Sequence, residues 1–272
     1  MLSLVFLVLL FLILISIGYS ERRIVTVELN GGLGNRIFQL MAGLGYAERH
    51  NRRFVIVRSF VTKGEQEHEH DSLDPLLALF PTVEVQPTLE DYDRLETKGG
   101  AFRYDDLPDS TRNVVLHGYF QSERYFPSRA PSLQVPSYPH TYFIHIRAGD
   151  YLGSKTHFID LTSYHRRALH TIRHEDPAAK FLVFSNDNEY AHTYMKQFQI
   201  PYTLSATTKA EDTLRDMAAC VGGICANSSL SWLGAYFQAP PRSHIYMPDR
   251  WINDGQDTRD LYPSWATVLP TT

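Results

Sequence analysis

Four short polar clusters in this chain combine residue types that handle anions with the signals of strand ends. Asn30-Gly31-Gly32-Leu33-Gly34-Asn35 has glycines that let a backbone approach a ligand closely, and it precedes a helix whose free amides can face an anion. An ordinary tight turn has the same spelling, and the spacing is neither that of a Walker loop nor that of the dinucleotide fingerprint. In His145-Ile146-Arg147-Ala148-Gly149-Asp150-Tyr151 the strand period puts His145 and Arg147 on one face. Arg147 then emerges at the strand's end, where a guanidinium can clamp phosphate oxygens; a structural Arg147–Asp150 pair is the alternative. Ser185-Asn186-Asp187 and Asn227-Ser228-Ser229-Leu230-Ser231-Trp232 close two more strands, where Asp187 and the serines serve equally as helix caps. Asn227-Ser228-Ser229 also spells a glycosylation acceptor, which a junction inside a core disfavours.

The elements that must hold these clusters follow from periodicity. Ile24–Leu29 alternates as a strand, Asn30–Gly34 is a glycine-rich turn, and Ile37–His50 is a helix apolar on nearly every side, fit for burial between domains. Phe54–Val57 and Asn113–Leu116 are further strands. Beyond a Pro- and Ser-dense stretch, Ser128–Pro139, one pattern repeats: strand Tyr142–Ile146 and helix Ser163–His174, strand Phe181–Phe184 and helix Asn188–Phe198, strand Gly223–Ala226 and helix Ser231–Phe237. Strands alternating with helices predict an α/β fold with a parallel doubly wound sheet, whose ligands bind beyond the strands' carboxyl ends. The linker divides the chain into an N-terminal lobe, 24–135, and a C-terminal lobe, 140–272. Two metal-like spellings fall outside this scheme. Asp91-Tyr92-Asp93 lies in a polar run read as helical and Glu67-His68-Glu69-His70-Asp71 in a charged loop, and both read as solvated surface.

At 272 residues, with 43% hydrophobic and 21% charged, the chain can bury a full core, and wholesale disorder is excluded. A net charge of −4 without a Lys/Arg run excludes a nucleic-acid groove but not a single nucleotide. Residues 1–19 open with the apolar run Met1–Gly18, long enough to span a bilayer as a signal anchor, or to act as a signal peptide. Arg22 and Arg23 after the span oppose a lumenal globular part by the positive-inside rule. The two cysteines, Cys220 and Cys225, read as buried small hydrophobes rather than a disulfide.

Taken together, the clusters resemble the α-1,2-fucosyltransferase family. VELNGGLGNRIFQLMAGLGYA is similar to that family's GGLGNQMFQYA signature, HGYFQSERYF at 117–126 to GYFQSEKYF, and HIRAGDY to HxRRGDY. VFSNDNEY, EDTLRDMAAC, ANSSLSWLGAYF and DLYPSW resemble later blocks in the same order, so the likeness runs from about residue 24 to the C-terminus. It implies an inverting enzyme of the GT-B type, with two Rossmann-like lobes, that uses GDP-fucose without a metal or other cofactor. Arg147 and Asn35 would then meet the diphosphate, His145 and Asp212 the guanine side, Ser228 and Ser229 the phosphates, and Asp187 ribose or fucose. Gly32, Gly34, Ser185 and Asn227 complete the donor-binding set, and Asp150 is the candidate general base, its competing role being to hold Arg147. The acceptor would be a galactoside on an oligosaccharide or glycoconjugate. The implied place is the Golgi membrane, as a single-pass type II protein with a lumenal catalytic part, or outside the cell if the N-terminal segment is cleaved. Three positions depart from the pattern: Arg36 replaces a Gln, Ala148 the second Arg, and Leu233 a Trp. Restoring an arginine at Ala148 is expected to leave activity equal or higher. A protein O-fucosyltransferase and an inactive GDP-sugar-binding protein are the alternatives.

Overall fold

The computed structural model describes residues 22–62, 72–240, 242 and 244–272; the apolar N-terminal run and the 67–71 cluster lie outside them. Short apolar segments in the first half form β1 (Ile24–Val27), β2 (Arg53–Phe54), β3 (Ile56–Val57), β4 (Val85–Gln86), β5 (Tyr92–Glu96) and β6 (Asn113–His117). They pair in parallel as β2-β1-β6-β5, with β3 and β4 as a separate pair. Alternation along β1 and β6 turns Val25, Val27, Val114 and Leu116 into one core with α1 (Leu33–Arg49) and α2 (Asp74–Leu79).

The second half contains β7 (Tyr138–Ile146), α3 (Thr162–Glu175), β8 (Lys180–Ser185), α4 (Asn188–Met195), β9 (Thr203–Leu204), α5 (Ala210–Ala219), β10 (Cys220–Ile224), α6 (Ser229–Tyr236), β11 (Ile245–Pro248) and β12 (Thr267–Leu269). Its sheet is parallel throughout, in the order β12-β11-β10-β7-β8-β9. The central strand β7 is buried from Tyr142 to Ile146, where both of its faces are covered. Ile144 and Ile146 pack with α3 and α4, and Phe143 faces the core that contains α5 and α6.

That second core does not stop at the sheet boundary. Phe38 of α1 lies 4.8 Å from Trp232 of α6 and 5.5 Å from Phe126 between ring centroids, so the apolar α1 serves both halves. The C-terminal segment returns to the first half as well. Asp260 accepts from Arg103 Nε (2.7 Å), the Tyr104 amide (3.0 Å) and Arg124 (3.1 Å), while Trp265 Nε1 donates to Glu123 (2.9 Å).

Several elements differ from the reading of the sequence. The first helix starts at Leu33 rather than Ile37, so Gly34 and Asn35 belong to its first turn. Asp91-Tyr92-Asp93 is not helical: it leads into edge strand β5, and Arg112 binds Asp91 at 2.7 Å and Asp93 at 2.8 Å. A strand with so few apolar residues survives at an edge because its exposed side needs none. Strands β9, β11 and β12 are equally short or peripheral. Cys220 and Cys225 are buried and free, and burial pushes the Cys220 thiol up to about 12.

Candidate functional site

The starts of α1 and α6 meet face to face. Gly31, at φ +69°, reverses the chain after β1 in a conformation only glycine adopts without strain. Gly32 caps α1 in an extended conformation with open space before it, and neither it nor Ser228, the residue capping α6, supplies a side-chain bond to the helix amides. A Cβ on Gly34 would fall 2.5 Å from Ser229 Oγ and 2.6 Å from the Leu230 nitrogen, so this glycine exists for close approach, not for a turn. Ser229 Oγ donates to Asn35 Oδ1 at 2.8 Å, and Gln121 Nε2 donates to the same oxygen at 3.0 Å. With Oδ1 taken twice, the Asn35 side chain turns its amide nitrogen toward the Gly31 turn.

Two side chains behind this junction hold the turn. Gln39 bonds Asn30 through both backbone and side chain and also reaches the Gly118 carbonyl. Arg36 is buried and donates to the carbonyls of Gly31, Ser72 and Thr62 at 2.9, 3.1 and 3.2 Å. The departure at position 36 is therefore an architectural one: its guanidinium faces backbone oxygens.

Arg147 leaves the end of β7 with its side chain 31% exposed. Its Nη2 donates to both oxygens of Asp150, at 2.7 and 2.9 Å, and its guanidinium lies 4.9 Å from the Tyr151 ring centre. Asp150 thus has both oxygens on Arg147. Ala148 is wholly buried, and Asn186 clamps it by accepting from its amide (2.9 Å) and donating to its carbonyl (3.2 Å). An arginine at 148 would have to displace the groups that bury this position, at a typical stability cost of about 1–3 kcal/mol, so assay of the Ala148→Arg variant for equal or higher activity belongs beside a measurement of its stability.

The other residues singled out from sequence divide into two groups. His145 lies beneath Arg147, buried, with Nδ1 lacking a partner; burial, then Arg147 and His165, push its imidazole down to about 3, so it is neutral. Asn227 is buried and donates to the carbonyls of His157 (2.9 Å) and Trp251 (3.0 Å), which closes it to glycosylation. A cavity of about 40 Å³ runs between Arg147, His157, His165 and Asn227. By contrast, Asp187 caps α4 through the Tyr190 amide, Ser185 shapes the turn before it, and exposed Asp212 faces Arg215 on its own helix. A larger cavity, about 770 Å³, lies under residues 130–137 and the ends of α5 and α6, and includes none of these side chains.

Residues 86–260 match the model of glycosyl transferase family 11. The chain belongs to that family. This is the α-1,2-fucosyltransferase family that the motifs resemble. The chain is 27% identical to the O-antigen biosynthesis glycosyltransferase WbnK of Escherichia coli over 132 residues, 46% of this chain and 43% of WbnK. It thus spans less than half the length of that relative. It is 23% identical to an alpha-1,2-colitosyltransferase of Escherichia coli over 273 residues, 84% of this chain and 92% of the relative. Among solved structures, E. coli heptosyltransferase WaaC with ADP aligns at a TM-score of 0.49 and 13% identity, covering 91% of this chain and 93% of that one.

In this family 11 chain, Gln121 and Asn186 join the site although neither was singled out. Gln121 sits in the HGYFQSERYF block and Asn186 between two chosen residues, but their roles depend on partners 86 and 38 positions away. The buried histidines supply a stability test. His145 and His165 both fall to about 3 in the fold from an ordinary 6.5, in each case mainly through burial. The folded value is the lower one, so between 6.5 and 3 the unfolded chain binds the extra protons and stability falls as pH falls. Above pH 5 this precedes carboxylate effects, and each histidine should add a slope approaching roughly 1.4 kcal/mol per pH unit. Urea denaturation from pH 7 to 5 should show the loss, and His145→Asn should remove about one proton's share of it; an unchanged slope would contradict a neutral buried His145.

Proposed function

We propose that the chain transfers L-fucose from GDP-fucose to a galactoside hydroxyl, with inversion and an α-1,2 linkage, as a GT-B-like enzyme that holds the donor between two Rossmann-like lobes. The observation that carries this reading is the position of Arg147, at the carboxyl end of the central strand, in the HIRAGDY block within the segment that matches the family. Glycosyl transfer passes through a cationic sugar while negative charge grows on the leaving diphosphate, and fixed donors aimed at that charge lower the barrier. Arg147, the Asn35 amide nitrogen and the uncapped amides of α1 and α6 are the donors assigned to it. Ser228 and the Gly32 backbone adjoin the same charge. Asp150 is assigned to orienting Arg147, and neutral His145 to hydrogen bonding on the nucleotide side, with Asp212, Ser185 and Asp187 retained as outer donor contacts.

The α-1,2-colitosyltransferase relative supports one variation, a colitosyl donor in place of fucose. Incubating each sugar nucleotide with β-galactosides and mapping the product linkage decides between them. The reading retains Met1–Gly18 as a signal anchor with the catalytic part in the Golgi lumen. Protease protection in sealed vesicles tests that placement, and digestion of the globular part without detergent would refute it.

No metal is assigned to the reaction, so transfer should persist in excess chelator. Arg147→Ala should lower turnover on the order of a hundredfold to a thousandfold, and Lys should rescue poorly because a point charge lacks the bidentate fork. Chelator-sensitive transfer, or near-normal turnover in Arg147→Ala, would contradict the mechanism.

A further inference from the structure

Both Asp150 oxygens accept from Arg147, a contact that favours orienting the guanidinium over taking the acceptor's proton, so a second proton acceptor is worth seeking. The carboxyl ends of β1 and β6 carry one. Val27 and Leu116 are paired across these strands, so Glu28 and His117 emerge side by side where a parallel sheet presents its ligands. His117 Nδ1 is 2.6 Å from Glu28 Oε2. Arg94 of neighbouring β5 places Nε 2.9 Å from Glu28 Oε1, and Nη2 3.1 Å from Oε2 and 2.7 Å from His117 Nδ1, with Glu96 beyond it at 3.6 Å. Glu28 and Arg94 cannot both use the same imidazole nitrogen. In the tautomer with the proton on Nδ1, that proton is donated to Glu28 Oε2, the shorter of the two contacts, and Nε2 keeps the lone pair.

The imidazole is accessible, at 37% side-chain exposure. It is followed by Gly118, whose carbonyl shares Gln39 with Asn30, and by Tyr119, 41% exposed. Gln121, which bonds Asn35, is four residues further, so the His117 and Gln121 backbones lie within about 14 Å of each other.

We propose that His117, oriented by Glu28, is the base for the acceptor hydroxyl; this rests on the glycosyl-transfer reading above. Nε2 takes the hydroxyl proton as the acceptor oxygen bonds to C1 of fucose. The bond from C1 to the phosphate oxygen breaks, and its electron pair leaves with GDP. Glu28 stabilises the imidazolium until its proton passes to water.

The test uses the purified full chain, with transfer to a β-galactoside and GDP binding by calorimetry as separate readouts. His117→Gln should lower kcat for transfer by about a hundredfold to ten-thousandfold with the GDP Kd unchanged. Imidazole in the buffer should restore part of the activity of His117→Ala, which a merely structural role would not allow, and Glu28→Gln should weaken transfer. Transfer by His117→Gln within about threefold of the parent, or no imidazole rescue, overturns the assignment while leaving the donor reading intact. A parent chain that neither binds GDP nor transfers sugar overturns both.

Discussion

The contact between the first turns of α1 and α6, fastened by the Ser229 hydroxyl on Asn35 Oδ1, is what the rest of the proposed site depends on. It brings together two helix N-termini, each equivalent to roughly half a positive charge, and these repel. Neither end has a capping side chain to quench it. The junction is held by what lies behind it: the tilted contacts of Phe38 with Trp232 and Phe126, each aromatic pair contributing about 0.5–1.5 kcal/mol beyond burial. A diphosphate between the ends would offset the repulsion, so in the proposed function the same charge that destabilises the free junction selects its ligand.

The scaffold keeps that arrangement from relaxing. Arg36 holds three backbone carbonyls around the Gly31 turn, and Asn186 pins the chain immediately after Arg147. Asp260 binds Arg103 and Tyr104, and the neighbouring Ala101 carbonyl accepts from Gln121, whose side chain meets Asn35. The C-terminal segment is thereby connected, through backbone and side-chain bonds, to the residue at the centre of the junction.

Much of this was legible because strand and helix periods are local. The run of Tyr142–Ile146 and the three strand–helix repeats predict a parallel sheet, and Arg147 appears at a strand end by counting. What could not be read depends on distant contacts. Gly34 reads as a turn former, but its reason is Ser229, 195 positions away. Asp91 and Asp93 read as part of a solvated helix because nothing local announces Arg112 or an edge strand. The clamp of Asn186 on the Ala148 backbone, 38 positions away, is equally hidden, whereas Asp187 serves as the cap its local sequence suggests. The pairing of Glu28 with His117 is invisible at 89 residues' separation.

The central claim is that the abutting helix starts form the seat of the diphosphate. Calorimetric titration of GDP into the parent chain and into Gly34→Ala measures it most directly, with near-ultraviolet circular dichroism to establish that the variant is folded. A methyl at this position must push Ser229 and Leu230 away, and the account predicts a Kd at least about tenfold weaker, a loss of roughly 1.4 kcal/mol. A folded Gly34→Ala chain that binds GDP as tightly as the parent would contradict it.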